Sequence, residues 1–271
     1  MPSCSRLRYL EAHPHAYGWP PDRPIRGTLI LLHAFPIGAR MWEPQHDLAS
    51  SGWRVIMPQF RGFDCTTPDD VHAETIDDYA RDVADLIETL SLKPAVIGGL
   101  SMGGYVALAL YRQAPDLFRG LVLADTRADA DAPEARANRA RLIGVVATDG
   151  VAAVADEMVP KLLGQTTMRT QPKVEAWLRT MIAANQPGAV QAALRAMAGR
   201  EDSTPLLSVV TVPTLVIVGE EDTLTPPALS STMASAIPGA HLARLPQAGH
   251  LASLEQPAAF NAALLGFLDR L

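Results

Sequence analysis

Ser101 lies in Gly98-Gly99-Leu100-Ser101-Met102-Gly103-Gly104, which contains the pattern G-x-S-x-G. A serine hydroxyl is a weak nucleophile until a base takes its proton, so such a serine needs a histidine and a carboxylate to orient it. Of the seven histidines, His250 is best placed. It lies in Gln247-Ala248-Gly249-His250-Leu251, after the strand-like Ala240–Leu245 and before a closing helix at Pro257–Leu271. The carboxylate should fall between serine and histidine in chain order. Asp222 does so, in Gly219-Glu220-Glu221-Asp222 at the end of the strand-like Thr214–Val218. Two features compete with it. Glu220 and Glu221 are its neighbours, and Asp125 ends the strand-like Gly120–Ala124, another edge from which an acid could reach the histidine. The chemistry implied is acyl transfer through a covalent serine intermediate.

These residues need particular elements beneath them. Ala95–Gly98 reads as a strand directly before the serine motif and Gly104–Arg112 as a helix directly after it. Strand, tight turn, helix is the context the motif requires. The turn strains the serine backbone, and glycines flank it because side chains there would meet the adjoining strand and helix. The helix beginning at the serine aims N–H groups and its positive dipole end at a developing oxyanion. Met102 supplies one backbone donor. The second is expected from Phe35, in Leu32-His33-Ala34-Phe35-Pro36, with His33 holding that loop.

Further elements follow from hydrophobic patterning. Thr28–Leu32, Arg54–Met57, Ala95–Gly98, Gly120–Ala124 and Thr214–Val218 are continuous apolar runs, the signature of strands buried on both faces. Ile76–Ser91 places Ile76, Tyr79, Ala80, Val83, Leu86, Ile87 and Leu90 on one helical face. Strand and helix alternate, which predicts an α/β fold with a mainly parallel sheet and right-handed crossovers. The rhythm breaks between Asp129 and Pro205, where helical patterns run over Glu134–Val146, Val151–Leu163, Val174–Ala184 and Ala189–Ala198. Residues 129–205 therefore read as a helical cap inserted into a core domain built from residues 1–128 and 206–271.

Bulk properties narrow the class. A chain of 271 residues can form one large α/β domain. Its formal charge of −6, with Lys and Arg scattered, argues against nucleic acid or an anionic membrane as partner. Residues 1–19 lack the apolar core of a signal peptide, and no apolar run is long enough to span a bilayer. Cytoplasmic localisation is the expectation. Cys4 and Cys65 have no metal or redox spacing and read as unpaired thiols. No pair of histidines has metal spacing on a helix, and neither metal nor organic cofactor is expected.

Four segments, Leu31–Pro36 (LLHAFP), Gly98–Gly104 (GGLSMGG), Val212–Pro227 and Ala248–Pro257 (AGHLASLEQP), resemble the α/β-hydrolase superfamily from Leu29 to Leu268. The likeness is greatest to small esterases and lactonases, including 3-oxoadipate enol-lactonase, and to cofactor-free perhydrolases. It implies an α/β-hydrolase fold, a mainly parallel eight-stranded sheet flanked by helices, with Ser101, Asp222 and His250 as triad and Phe35 and Met102 as oxyanion donors. It further implies hydrolysis of a small ester or lactone, with perhydrolysis or slow-turnover ligand binding as alternatives on the same fold. Two departures stand out. His33-Ala34 replaces the His-Gly of many relatives, and Arg61-Gly62-Phe63-Asp64-Cys65 lacks the second glycine and the serine of the R-G-x-G-x-S loop. A serine nucleophile argues against dehalogenase and epoxide hydrolase chemistry, which use aspartate. Trp42, Met158, Trp177 and Met181, with Met168 and Met197, are candidate pocket residues. Arg127, Arg139, Arg141 and Arg179 are unranked candidates for binding a substrate carboxylate.

Overall fold

The computed structural model describes residues 7–63 and 73–271; Cys4 and the Asp64-Cys65 part of the departing loop lie outside them. Seven strands form one sheet: β1 Arg8–Ala12, β2 Gly27–Leu32, β3 Trp53–Gln59, β4 Ala95–Leu100, β5 Phe118–Ala124, β6 Thr214–Gly219 and β7 His241–Leu245. Their order is β1-β3-β2-β4-β5-β6-β7. Every neighbouring pair is parallel except β1 with β3, which is antiparallel. β4 and β6 are buried at every position, as helix cover on both faces requires.

Seven strands among the described residues replace the eight expected. Residues 13–26 carry Pro14, Pro20, Pro21 and Pro24, and proline cannot donate to a ladder. That stretch holds a 3₁₀ turn over Pro14–Tyr17 and no strand.

Helices α1 Ile76–Thr89 and α2 Met102–Gln113 pack together, and α2 lies on β4 and β5. Thr75 starts α1 with a reciprocal capping box: its side chain accepts from Asp78 N, and Asp78 accepts from Thr75 N. Between β5 and β6 come α3 Pro133–Asp149, α4 Val151–Leu162, α5 Gln165–Thr170, α6 Pro172–Ala183, α7 Pro187–Ala198 and the short α8 Thr204–Leu207. Then follow α9 Pro227–Ala236, α10 Ala252–Glu255 and α11 Pro257–Leu268. Among the described residues, no helix is long and apolar enough to cross a membrane.

Strand order creates the site. The chain runs outward from β2 to β3, then returns to β4 on the other side of β2. The loops leaving β2 and β4 therefore diverge at a crevice, where sheets of this kind bind ligands. Leu32 pairs with Gly99, so the Phe35 loop and the Ser101 turn leave adjacent strand ends.

Candidate active site

Ser101 occupies the turn between β4 and α2 with φ 55° and ψ −114°, a conformation that a residue with a Cβ adopts only under constraint. The surroundings supply that constraint. Ser101 N donates to Ala124 O at 3.0 Å, and Ser101 O accepts from Gly104 N at 2.9 Å and from Thr126 Oγ1 at 2.8 Å. A Cβ on Gly99 would lie 2.0 Å from Gly103 O, and one on Gly103 would lie 2.2 Å from Leu32 O. Both obstacles are backbone, so the glycine spacing of the motif is a packing requirement.

His250 and Asp222 are both buried, and His250 Nδ1 lies 2.8 Å from Asp222 Oδ2. Asp222 Oδ1 accepts from the N–H groups of Leu224 at 2.8 Å and Thr225 at 3.0 Å. Thr225 Oγ1 donates to Oδ2 at 2.6 Å. Burial alone would raise the Asp222 pKa, but the charge and hydrogen bond of His250 together with the Thr225 bonds hold it below the usual carboxylate range. An ionised Asp222 makes Nδ1 the protonated nitrogen of the neutral imidazole and leaves Nε2 as acceptor.

The competing acids have other partners. Glu221 accepts from Thr166 N at 2.8 Å and Thr166 Oγ1 at 2.5 Å, binding α5 to the end of β6, while Glu220 is exposed. Asp125 is fully buried, and its Oδ1 accepts from Gly219 N at 2.8 Å. Burial first, and the nearby Asp222 charge second, push its pKa well above the carboxylate range, which disfavours the ionised form.

His33 is fully buried in the loop that carries Phe35. Phe60 N donates to its Nε2 at 3.0 Å, so its Nδ1–H donates to Ala34 O, also at 3.0 Å. Burial lowers its pKa to about 4 against the smaller opposing effect of the Ala34 bond. Its two hydrogen bonds fix the loop that carries Phe35. Among the described residues, the N–H groups of Phe35 and Met102 have no acceptor.

Ser101, His250, Thr225 and Phe35 open on one cavity of about 200 Å³. Its lining also includes residues of the β5–β6 insertion: Leu142 and Arg139 of α3, Met158 and Leu162 of α4, Leu194 and Met197 of α7. Of the six pocket residues expected from sequence, Met158 and Met197 line it, and Met168 does not. Trp42 is buried against Phe260, with ring centroids 5.9 Å apart. Trp177 and Met181 are half-buried and pack on the core from α6, outside the cavity lining. Sequence reading missed Thr225, Tyr105 and the buried Glu255. The only signal for Glu255 was its place five residues after His250.

A mainly parallel sheet flanked by helices, with a strained serine between β4 and α2 at the switch point, is the architecture of the α/β hydrolases. A family model described as alpha/beta hydrolase fold matches residues 27–257, and the chain belongs to that family. It is 30% identical over 235 residues to a Mycobacterium tuberculosis protein named as a non-heme bromoperoxidase, BpoC, covering 84% of this chain and 88% of that one. It is 28% identical to 3-oxoadipate enol-lactonase 2 of Acinetobacter baylyi, covering 92% and 90%. Among solved structures, a thermophilic esterase from Thermogutta terrifontis with malate bound has a TM-score of 0.89 at 38% identity, covering 97% of this chain and 93% of that one.

Proposed function

We propose that the protein hydrolyses small carboxylic esters or lactones through Ser101, His250 and Asp222. The observation that carries this reading is the 2.8 Å bond from His250 Nδ1 to Asp222 Oδ2, with His250 and Ser101 lining the same cavity. Ser101 Oγ attacks the ester carbonyl as His250 Nε2 takes its proton. The N–H groups of Phe35 and Met102 hold the oxyanion. His250 then protonates the leaving alcohol, and a water deprotonated by His250 attacks the acyl-enzyme to release the acid. Asp222 stays ionised and stabilises the imidazolium. Residues 129–205 act as a cap that closes the cavity over the nucleophile. Relatives named as an esterase and an enol-lactonase support the same bond class.

The test is hydrolysis of p-nitrophenyl esters from acetate to octanoate by the wild type and Ser101→Ala. Turnover by the wild type, with nearly all of it lost in the variant, is expected. Equal activity of the two proteins would remove Ser101 from the mechanism. Peroxide- and acetate-dependent oxidation in place of hydrolysis would move the reading to perhydrolysis, the activity to which the relative named as a bromoperoxidase points.

A further inference from the structure

The lining of the cavity that Ser101 opens on is charged as well as apolar. Arg127 and Arg139 line it, whereas Arg141 pairs with Glu157, and Arg179 with Asp156 and Glu175, away from it. The two lining arginines belong to a cluster with Arg200. Arg127 binds both Asp129 oxygens. Arg139 reaches Asp131 through Nε and Nη2, and Arg200 Nη1 donates to the same Asp131 at 2.5 Å. Arg200 is buried, its guanidinium 4.1 Å from the centre of the Tyr105 ring.

Three guanidinium groups thus share two carboxylates. Ion pairing and hydrogen bonds lower the pKa of Asp129 and Asp131 in spite of their burial, so both remain charged and the cluster keeps one net positive charge. Asp131 is the acidic residue among those that line the cavity, and it is shared between two arginines. Donors are available as well as charge. Arg139 Nη1 meets only the Met197 sulfur, at 3.3 Å, a weak acceptor, and Arg127 Nη1 meets no acceptor among the described residues.

Resting on the ester-hydrolase reading, we infer that the substrate is a small ester whose acyl group carries a carboxylate of its own, which Arg139, with Arg127, binds in the cavity that Ser101 lines. A carboxylate there neutralises the surplus charge and takes the Nη1 donors in place of a thioether, in a partly enclosed site where charge-assisted bonds are strong. The acid released from such an ester is a dicarboxylate, so small dicarboxylates should compete with substrate.

The experiment measures inhibition of p-nitrophenyl butyrate hydrolysis by succinate, glutarate and adipate, each against its neutral diamide. At least one dicarboxylate is expected to compete at least tenfold more strongly than its diamide. Arg139→Met should raise its inhibition constant about tenfold, and Arg139→Lys, which keeps the charge but loses the planar fork, should raise it less. Equal inhibition by diacid and diamide overturns the inference and leaves the ester-hydrolase reading intact. So does a loss in Arg139→Met that is the same for both. If Arg139→Met does not fold, the wild-type comparison and Arg139→Lys decide. If the wild type hydrolyses no p-nitrophenyl ester, the hydrolase reading fails separately, and calorimetric binding of the same diacid and diamide pairs decides the subsite.

Discussion

His250 Nδ1 and Asp222 Oδ2 lie 2.8 Å apart, and Thr225 Oγ1 donates to that same oxygen at 2.6 Å. The oxygen that orients the imidazole is thus itself oriented, and two backbone N–H groups hold its companion. Asp125 has no such contact with His250; it binds Gly219 N from the next strand. Asp222→Asn should lower kcat by roughly 10³–10⁴-fold, because an amide no longer selects the Nδ1–H tautomer. Asp125→Asn should keep most of the activity. The sign of its stability effect follows from its raised pKa. The unfolded carboxyl loses its proton above its ordinary value while the native one holds its proton to higher pH, so the native state is penalised at neutral pH. The amide removes that penalty, and urea denaturation at pH 7 should show Asp125→Asn at least as stable as wild type.

The glycines around Ser101 make a sharper demand than the serine itself. Gly103→Ala places a methyl 2.2 Å from Leu32 O, a backbone atom at the root of the Phe35 loop. Relief requires β2 and α2 to separate, which displaces both proposed oxyanion donors together. The expected outcome is a fall in kcat of about 10²-fold or more, alongside a lowered Tm. Normal kcat in a folded Gly103→Ala protein would remove the two-donor geometry proposed here.

Why so much of this site is legible in sequence follows from its locality. A turn that leaves no room for Cβ atoms writes glycines at fixed offsets, and strand ends that carry polar residues follow apolar runs. Gly99, Gly103, Asp222 and His250 are all marked in one of these two ways. Long-range pairing leaves no such mark. Arg200 and Asp131 meet across 69 positions, and neither neighbourhood announces the other. Helical spacing says that Trp42, Trp177 and Met181 have an apolar side to face but not which surface they face, and all three turned to the core. β1 escaped notice because an edge strand pairs on one side only and carries mixed polarity, as its sequence RYLEA shows.

His33 gives the fold a defined acid sensitivity. Its native pKa is about 4, against 6.5 for an unperturbed histidine. Below pH ~6.5 the unfolded chain takes up a proton that the native state refuses, so stability falls as pH drops through that window. The interval corresponds to about 3 kcal/mol at one proton. Urea midpoints measured from pH 7 to pH 4.5 should fall more steeply for wild type than for His33→Gln. The variant is the less stable protein at pH 7 because it loses the shape that bridges Ala34 O and Phe60 N, and the two curves should converge in acid. Parallel curves would place the acid sensitivity elsewhere.

Glu255 joins the His250 loop to the helical insertion. Its Oε1 accepts from Gly249 N at 2.9 Å and Leu251 N at 3.1 Å, the residues on either side of His250. Its Oε2 accepts from Gly164 N at 2.7 Å, where α4 gives way to α5. One buried carboxylate therefore fixes both the backbone that carries the imidazole and the junction of α4 with α5. A Cβ on Gly249 would lie 2.2 Å from Gly164 N, so the two segments are in backbone contact and a shift in one moves the other. Glu255→Gln keeps the size but offers one acceptor oxygen where three donors converge, and its NH₂ group faces N–H groups. Burial raises the Glu255 pKa against the opposing N–H bonds, so the loss comes from N–H groups left without an acceptor, and stability should fall by roughly 1–3 kcal/mol. The kinetic signature separates positioning from bulk destabilisation. Well below its Tm, the variant should lose kcat about tenfold or more as the imidazole loses register with Ser101 and Asp222. A stable Glu255→Gln protein with wild-type kcat would show that Asp222 alone suffices to orient His250.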